Sequence, residues 1–222
     1  MSILVKARMN GFRERILNGK KEKISHTLYG MLYKLHIGNV YHSKWLLCIK
    51  DILNSCGYLE LWNNQVVENN FNLAKKVKQC CMNDFVNNWK ELIFNSSKCL
   101  NYRTYKTEFG FEKYLVTLPY DLANVLCKFR CGSHRLPIEC GRFFGIDRDE
   151  RLCDLCDHSE LGDEFHYLYN CTFFAEERKQ YLPRNLLQVK NVISFNSLMN
   201  SDDIFVLIGL AKYCNIVMSI FK

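Results

Sequence analysis

The chain has 222 residues, of which 48% are hydrophobic and 14% aromatic, enough for the packed core of one or two domains; this excludes a disordered tail. Twelve cysteines follow an N-terminus without an apolar run of signal-peptide length, which favours a reducing intracellular compartment, nucleus or cytoplasm, over a disulfide-rich secreted scaffold. No segment approaches the roughly 20 apolar residues of a bilayer-spanning helix, so no membrane partner is expected.

The formal net charge of +7 is unevenly distributed. Residues 1–50 carry ten Lys or Arg against two acidic residues, whereas residues 152–182 carry seven acidic residues against two basic ones. Lys and Arg displace the counterions condensed on nucleic-acid phosphates, so the basic segments are candidate contacts for RNA or DNA. The same charge also suits a solvated surface. The candidate contacts in the middle of the chain are Lys128, Arg130, Arg135, Arg142, Arg148 and Arg151.

Apolar residues recur at helical spacing, and only three prolines interrupt the chain, which predicts a mainly α-helical protein. The first strong helix covers residues 45–53 and is closed by Gly57. A longer helix over residues 71–94 is expected to bury one stripe, formed by Leu73, Val77, Cys80, Cys81, Phe85, Trp89 and Leu92. Further predicted helices cover residues 121–131, 137–144, 173–181 and 204–220.

A weak boundary near residues 97–101 divides the chain. We expect a basic helical region over 1–100, a helical segment over 101–182 and a C-terminal helical tail over 183–222. The predicted architecture is an irregular helical bundle with a small module that carries three cysteines and one histidine.

That module is the motif Cys-x2-Cys-x9-His-x4-Cys, formed by Cys153, Cys156, His166 and Cys171. Thiolate and imidazole are preferred ligands of zinc, and four protein ligands in a tetrahedron are typical of a structural site. The two-residue gap forms a tight turn, and His166 is expected on a short helix with acidic residues in its first turn. We therefore predict one structural zinc ion.

The alternative interpretation is that these residues are ordinary buried cysteines. It fits poorly, because Cys153 and Cys156 lie in a strongly polar segment. A second group, Cys127, Cys131, His134 and Cys140, could also be arranged as a metal site; its first two cysteines share a helix face with apolar neighbours, which favours packing.

The segment 126–171 resembles the zinc-binding segment that follows the reverse transcriptase domain in LINE-type, non-LTR retrotransposon polyproteins. The resemblance extends more weakly to Trp45, Trp62, Trp89 and the run that begins at Leu100. The matching positions in the segment itself are Phe129, Arg130, Leu136, Pro137, Ile138, Glu139, Gly141, Arg142, Cys153, Cys156, Asp163, Glu164, His166 and Cys171.

The resemblance implies a non-catalytic fragment that supports RNA or DNA binding during target-primed reverse transcription, with the upstream polymerase domain as a partner. A structural or protein-interaction module that docks on the polymerase without touching nucleic acid is the alternative. No enzyme is expected, because Asp202 and Asp203 lack the aromatic residue and hairpin of a polymerase motif, and the 51 residues after Cys171 offer no endonuclease cluster. Arg130, Arg135 and Arg142 are expected to contact the nucleic-acid backbone, while Glu139 is expected to pair with an arginine within the fold.

Overall fold

The computed structural model describes residues 2–67 and 72–221, and the mainly helical prediction is confirmed: 67% of the structure is helical, with no β-strand in these ranges. Two short 3-10 helices, Arg148–Glu150 and Thr172–Phe174, flank the cysteine–histidine module. The α-helices are α1 (Ile3–Leu17), α2 (Ile24–Ile37), α3 (Lys44–Ser55), α4 (Leu59–Asn64), α5 (Leu73–Asn95), α6 (Tyr102–Tyr105), α7 (Tyr114–Thr117), α8 (Tyr120–Arg130), α9 (Pro137–Phe143), α10 (Glu164–Tyr169), α11 (Ala175–Tyr181), α12 (Arg184–Leu187), α13 (Val192–Met199) and α14 (Ile204–Ile220).

The chain forms two compact units that divide between Asn88 and Trp89. The core of the N-terminal unit is built around α3, whose Leu46, Ile49 and Leu53 are fully buried at helical spacing. This helix agrees with the one predicted over residues 45–53. It ends before Gly57, whose φ of +75° lies in the left-handed region that glycine adopts without steric cost.

The predicted stripe of α5 is only partly correct. The first residue of the predicted range, 71, lies outside the described residues. Leu73, Val77 and Cys81 are buried as expected. The prediction is wrong at Phe85, which is 48% exposed, and at Leu92, which is 73% exposed, while Cys80 and Trp89 are half-buried. Apolar periodicity identifies the helix, but it does not reveal how far along its length other elements cover that face.

The core of the C-terminal unit is the pair formed by α8 and α14. Leu126 and Phe129 of α8 are fully buried, as are Leu210 and Cys214 of α14. Both helices lie within a residue of their predicted bounds. No single described helix is long and apolar enough to cross a membrane; by length and composition alone α13 and α14 together could, but a bend of 106° separates them.

Candidate metal centre

The first two cysteines lie on a loop that a short antiparallel contact closes. Leu152 and Leu161 form an isolated β-bridge, and beside it the Cys153 amide donates to the Glu160 carbonyl at 2.8 Å. Inside the loop, the Leu155 amide donates to the Cys153 sulfur at 3.4 Å. The bridge therefore fixes the turn that aims the Cys153 and Cys156 side chains toward the same point.

The other two side chains come from α10 and the residue pair after it. Asp163 caps this helix, since its carboxylate accepts a hydrogen bond from the His166 amide at 2.9 Å. The Cys171 amide donates to the His166 carbonyl at 2.9 Å, which ends the helix and turns Cys171 back toward His166. The short helix with acidic residues in its first turn is the one that the sequence predicts.

The four ligand atoms lie within 4.8 Å of one another, and three of the distances between them match a tetrahedral zinc site. The sulfur of Cys153 lies 3.8 Å from that of Cys156 and 3.9 Å from that of Cys171, and Cys156 Sγ lies 3.4 Å from His166 Nε2. With Zn–S bonds of about 2.3 Å and a Zn–N bond of about 2.0 Å, tetrahedral geometry requires roughly 3.8 Å between sulfurs and roughly 3.5 Å between sulfur and nitrogen. The predicted Cys3His group is present, and it could hold one metal ion.

Three of the four side chains are buried, Cys156 is half-buried, and the cysteines are free thiols. Cys171 is fully buried, and Cys153 and His166 are 6% and 2% exposed. Burial, reinforced by the neighbouring Cys153 thiol, raises the pKa of Cys171 to about 12. Three thiols and an imidazole that face one another in a largely buried position are unusual as hydrophobic packing and are typical of a zinc ligand set.

Glu160 orients the histidine. Its carboxylate lies 2.8 Å from His166 Nδ1 and accepts a second hydrogen bond from Asn170 Nδ2 at 2.9 Å. These bonds, the one from His166 first, hold the pKa of Glu160 below its usual value. With Nδ1 bonded to Glu160, His166 presents Nε2 to the cysteines. Carboxylates fix the orientation of metal-binding histidines in the same way.

A buried polar network joins α10 to preceding segments of the same unit. Asn101 donates to Glu164 at 2.6 Å and to the capping Asp163 at 3.3 Å. His134 Nε2 lies 2.8 Å from the other Glu164 oxygen. The sequence does not predict the supporting roles of Asn101, His134 and Glu160, because single polar residues form no recognisable motif. The only indication in the sequence is the group of acidic residues around His166.

The candidate nucleic-acid residues are divided between surface and interior. Arg142 pairs with Glu139 at 2.9 Å, which confirms the expected arginine partner of that carboxylate. Arg151 donates to the carbonyl oxygens of Ile146 and Ile138, so its guanidinium supports the fold. The exposed side chains are those of Lys128, Arg135 and Arg148.

Arg130 does not lie on the surface. It is 3% exposed, and its guanidinium forms a 3.0 Å ion pair with Glu112 and donates to the Met199 carbonyl. The rings of Tyr105 and Tyr114 cover it, with centroids 4.8 and 5.0 Å from Cζ. The expectation that Arg130 points along one surface with Arg135 and Arg142 is therefore wrong, because core residues pair with this guanidinium and cover it.

The second cysteine group has other partners. His134 is engaged by Glu164, and the Cys140 thiol donates to the Arg135 carbonyl at 3.3 Å. Burial, followed by the adjacent Cys127, raises the pKa of Cys131 to about 11. Within the part of the chain that the structure describes, the Cys3His cluster is the only group of three or more such side chains suited to a metal ion.

The chain matches no protein-family model, no curated protein and no solved structure. The chemistry of the centre must therefore be inferred from its own donors. If all four side chains bind one tetrahedral metal ion, no position is left open for water or substrate, and such closed sites are typical of structural metals.

Proposed function

We propose that this chain is a non-catalytic zinc-binding fragment of a non-LTR retrotransposon reverse transcriptase polyprotein, and that it supports RNA or DNA binding during target-primed reverse transcription. The observation that carries the proposal is the convergence of Cys153, Cys156, His166 and Cys171 within 4.8 Å of one another. The resemblance of segment 126–171 adds the family and the process.

One zinc ion fits this donor set. Zinc binds thiolate and imidazole well and prefers four-coordinate tetrahedral geometry in structural sites. When bound, it supplies cross-linking of the 152–161 loop to α10. Two acidic residues position the histidine: Asp163 caps α10, and Glu160 holds the imidazole with Nε2 toward the sulfurs.

Glu160→Ala is expected to weaken zinc binding by about 10- to 100-fold without abolishing it, because losing the carboxylate bonded to Nδ1 frees the imidazole to rotate. A competition titration against a chromophoric chelator measures the change. Glu177→Ala, another acidic residue of the same unit outside the cluster, is the control. Equal zinc affinity of the Glu160 and Glu177 variants would show that the carboxylate does not orient His166.

Nucleic-acid binding is supported by exposed cations on the C-terminal unit, Lys128, Arg135 and Arg148, and by the basic composition of residues 1–50. Phosphate contacts release counterions, so affinity for a single-stranded oligonucleotide should fall linearly on a log–log plot against salt, with a slope of about −0.7 per contact. Fluorescence anisotropy with a labelled oligouridylate between 50 and 200 mM salt tests this. An affinity that stays constant over this range contradicts the proposal.

A second candidate is a protein-interaction module that docks on the polymerase domain. One observation favours it: α2 exposes Ile24, Leu28, Met31 and Leu35 at alternating spacings of four and three, the pattern of a helix-pairing seam. Lysines at positions 20, 21, 23 and 34 favour an acidic partner helix. If this candidate is correct, oligonucleotide affinity should not change with salt concentration. The chain should also capture the polymerase domain in a pull-down, and Leu28→Ser should abolish that capture.

The absence of catalysis is part of the proposal, and the two adjacent acids at the start of α14 support it. Asp203 is the N-cap of that helix and accepts hydrogen bonds from the Phe205 and Val206 amides. Asp202 pairs with Lys113 at 2.8 Å. Both carboxylates therefore have structural partners, and a two-metal site needs carboxylates that converge on the ions.

A further inference from the structure

A cavity beside α9, which we call the α9 cavity, has a volume of about 480 Å³ and combines cations with exposed aromatic rings. All of its lining belongs to the C-terminal unit. The residues that matter are Lys98, Ser133, Arg135, Arg142, Phe143 and Phe144. None of them ligates the candidate metal centre.

The two phenylalanines are the first unusual feature. Phe143 ends α9 and is 80% exposed, and the adjacent Phe144 is 74% exposed. Their centroids are 5.3 Å apart and their planes meet at 86°, so they present differently oriented faces. Two rings left in water lack the hydrophobic stabilisation of burial, which a ligand that covers them would supply.

The cations are the second feature. Lys98 Nζ donates to Ser133 Oγ at 3.2 Å, which places an ammonium and a hydroxyl together in the lining. Arg135 is exposed. Arg142 is paired with the buried Glu139, so the carboxylate is neutralised and the uncompensated charge of this lining is positive. Ammonium, guanidinium and hydroxyl are the groups that bind phosphate oxygens.

We propose that the α9 cavity binds a single-stranded stretch of nucleic acid, with phosphate at Lys98, Ser133 and Arg135 and unpaired bases stacked on Phe143 and Phe144. Phosphate-binding cations next to open ring faces are the combination that single-strand binding uses. A duplex offers phosphates to the cations but no free bases to the rings, because its bases are already stacked on each other. This inference rests on the proposed function and names the form of its ligand.

The test uses the full chain and a labelled 12-nucleotide oligouridylate. Replacing Phe143 and Phe144 together by alanine is expected to weaken binding on the order of tenfold, with an unchanged salt slope, because stacking carries no counterion release. Arg135→Ala is expected to make the slope shallower by about 0.7. The controls are Phe205→Ala, an 81% exposed phenylalanine on α14, and Arg184→Ala, an exposed arginine outside the cavity.

The outcomes separate this inference from the proposed function. If the wild-type chain does not bind the oligonucleotide, the proposed function fails and the cavity assignment fails with it. If the wild type binds and the double phenylalanine variant binds equally well, the α9 cavity is not the site, although nucleic-acid binding stands. Equal losses for Phe205→Ala, or equal affinity for a 12-base-pair duplex, also overturn the assignment. Zinc content and circular dichroism that match the wild type confirm that each variant is folded.

Discussion

Replacing Cys171 by serine is expected to abolish stoichiometric zinc binding and to loosen residues 150–180. Serine keeps the size of the side chain but removes the thiolate, and three ligands hold structural zinc far more weakly than four. Apparent zinc-binding free energies of about 10–16 kcal/mol in zinc-finger peptides are also folding free energies, so loss of the ion costs local structure. Elemental analysis measures the zinc, and amide hydrogen exchange of the 152–161 loop and α10 measures the loosening.

The control for this prediction must separate loss of a ligand from loss of a cysteine. Cys156 and Cys140 are both half-buried, but only Cys156 belongs to the Cys3His cluster. Cys156→Ser should release zinc as Cys171→Ser does, whereas Cys140→Ser should retain one ion per chain. Wild-type protein purified without chelators that contains no zinc would refute the zinc assignment.

The Cys3His cluster is connected to the core of the C-terminal unit, so loss of its structure would also disturb that core. Tyr167, in the same helix as His166, is fully buried, and its carbonyl accepts hydrogen bonds from Arg178 and from the Tyr213 hydroxyl. Tyr213 belongs to α14, the central helix of that unit. A metal ion bound by the Cys3His cluster would therefore stabilise both the cysteine loop and the packing of α10 on α14.

Sequence pattern predicted the strongest helices well. Residues 204–220 match α14 at both ends, because Asp203 supplies a cap at one end and the apolar spacing persists to the other. The four side chains of the Cys3His cluster were also predictable, since ligand spacing is a local property. In both cases the residues that determine the structure lie close to one another in the sequence.

Long-range partners could not be predicted in the same way. Nothing local distinguishes Arg130, which contacts Glu112 and Met199 across 18 and 69 residues, from the exposed Arg135. The carboxylate–histidine pair of Glu160 and His166 likewise depends on closure of a loop rather than on a motif. Tertiary packing decides whether a polar side chain is buried, and composition and periodicity carry no information about that packing.

Arg130→Ala is expected to destabilise the C-terminal unit by about 3–5 kcal/mol, the usual cost of removing one partner of a buried ion pair. The substitution removes the Glu112 pair, the hydrogen bond to the Met199 carbonyl and the guanidinium between Tyr105 and Tyr114. Native-state hydrogen exchange of α8 and α14 measures the change, because core amides there report the largest opening free energies.

Arg135→Ala is the matched control, since an exposed arginine without buried contacts should change stability by no more than about 0.5 kcal/mol. Arg130→Lys and Arg135→Ala should then separate stability from nucleic-acid affinity in opposite ways. Arg130→Lys, which keeps the charge but cannot form the guanidinium fork, should lose stability yet bind oligonucleotide as the wild type does wherever it is folded. Arg135→Ala should keep stability and lose affinity. If Arg130→Lys binds more weakly at full stability, the guanidinium reaches nucleic acid in solution, and its buried pairing with Glu112 is not the state that binds.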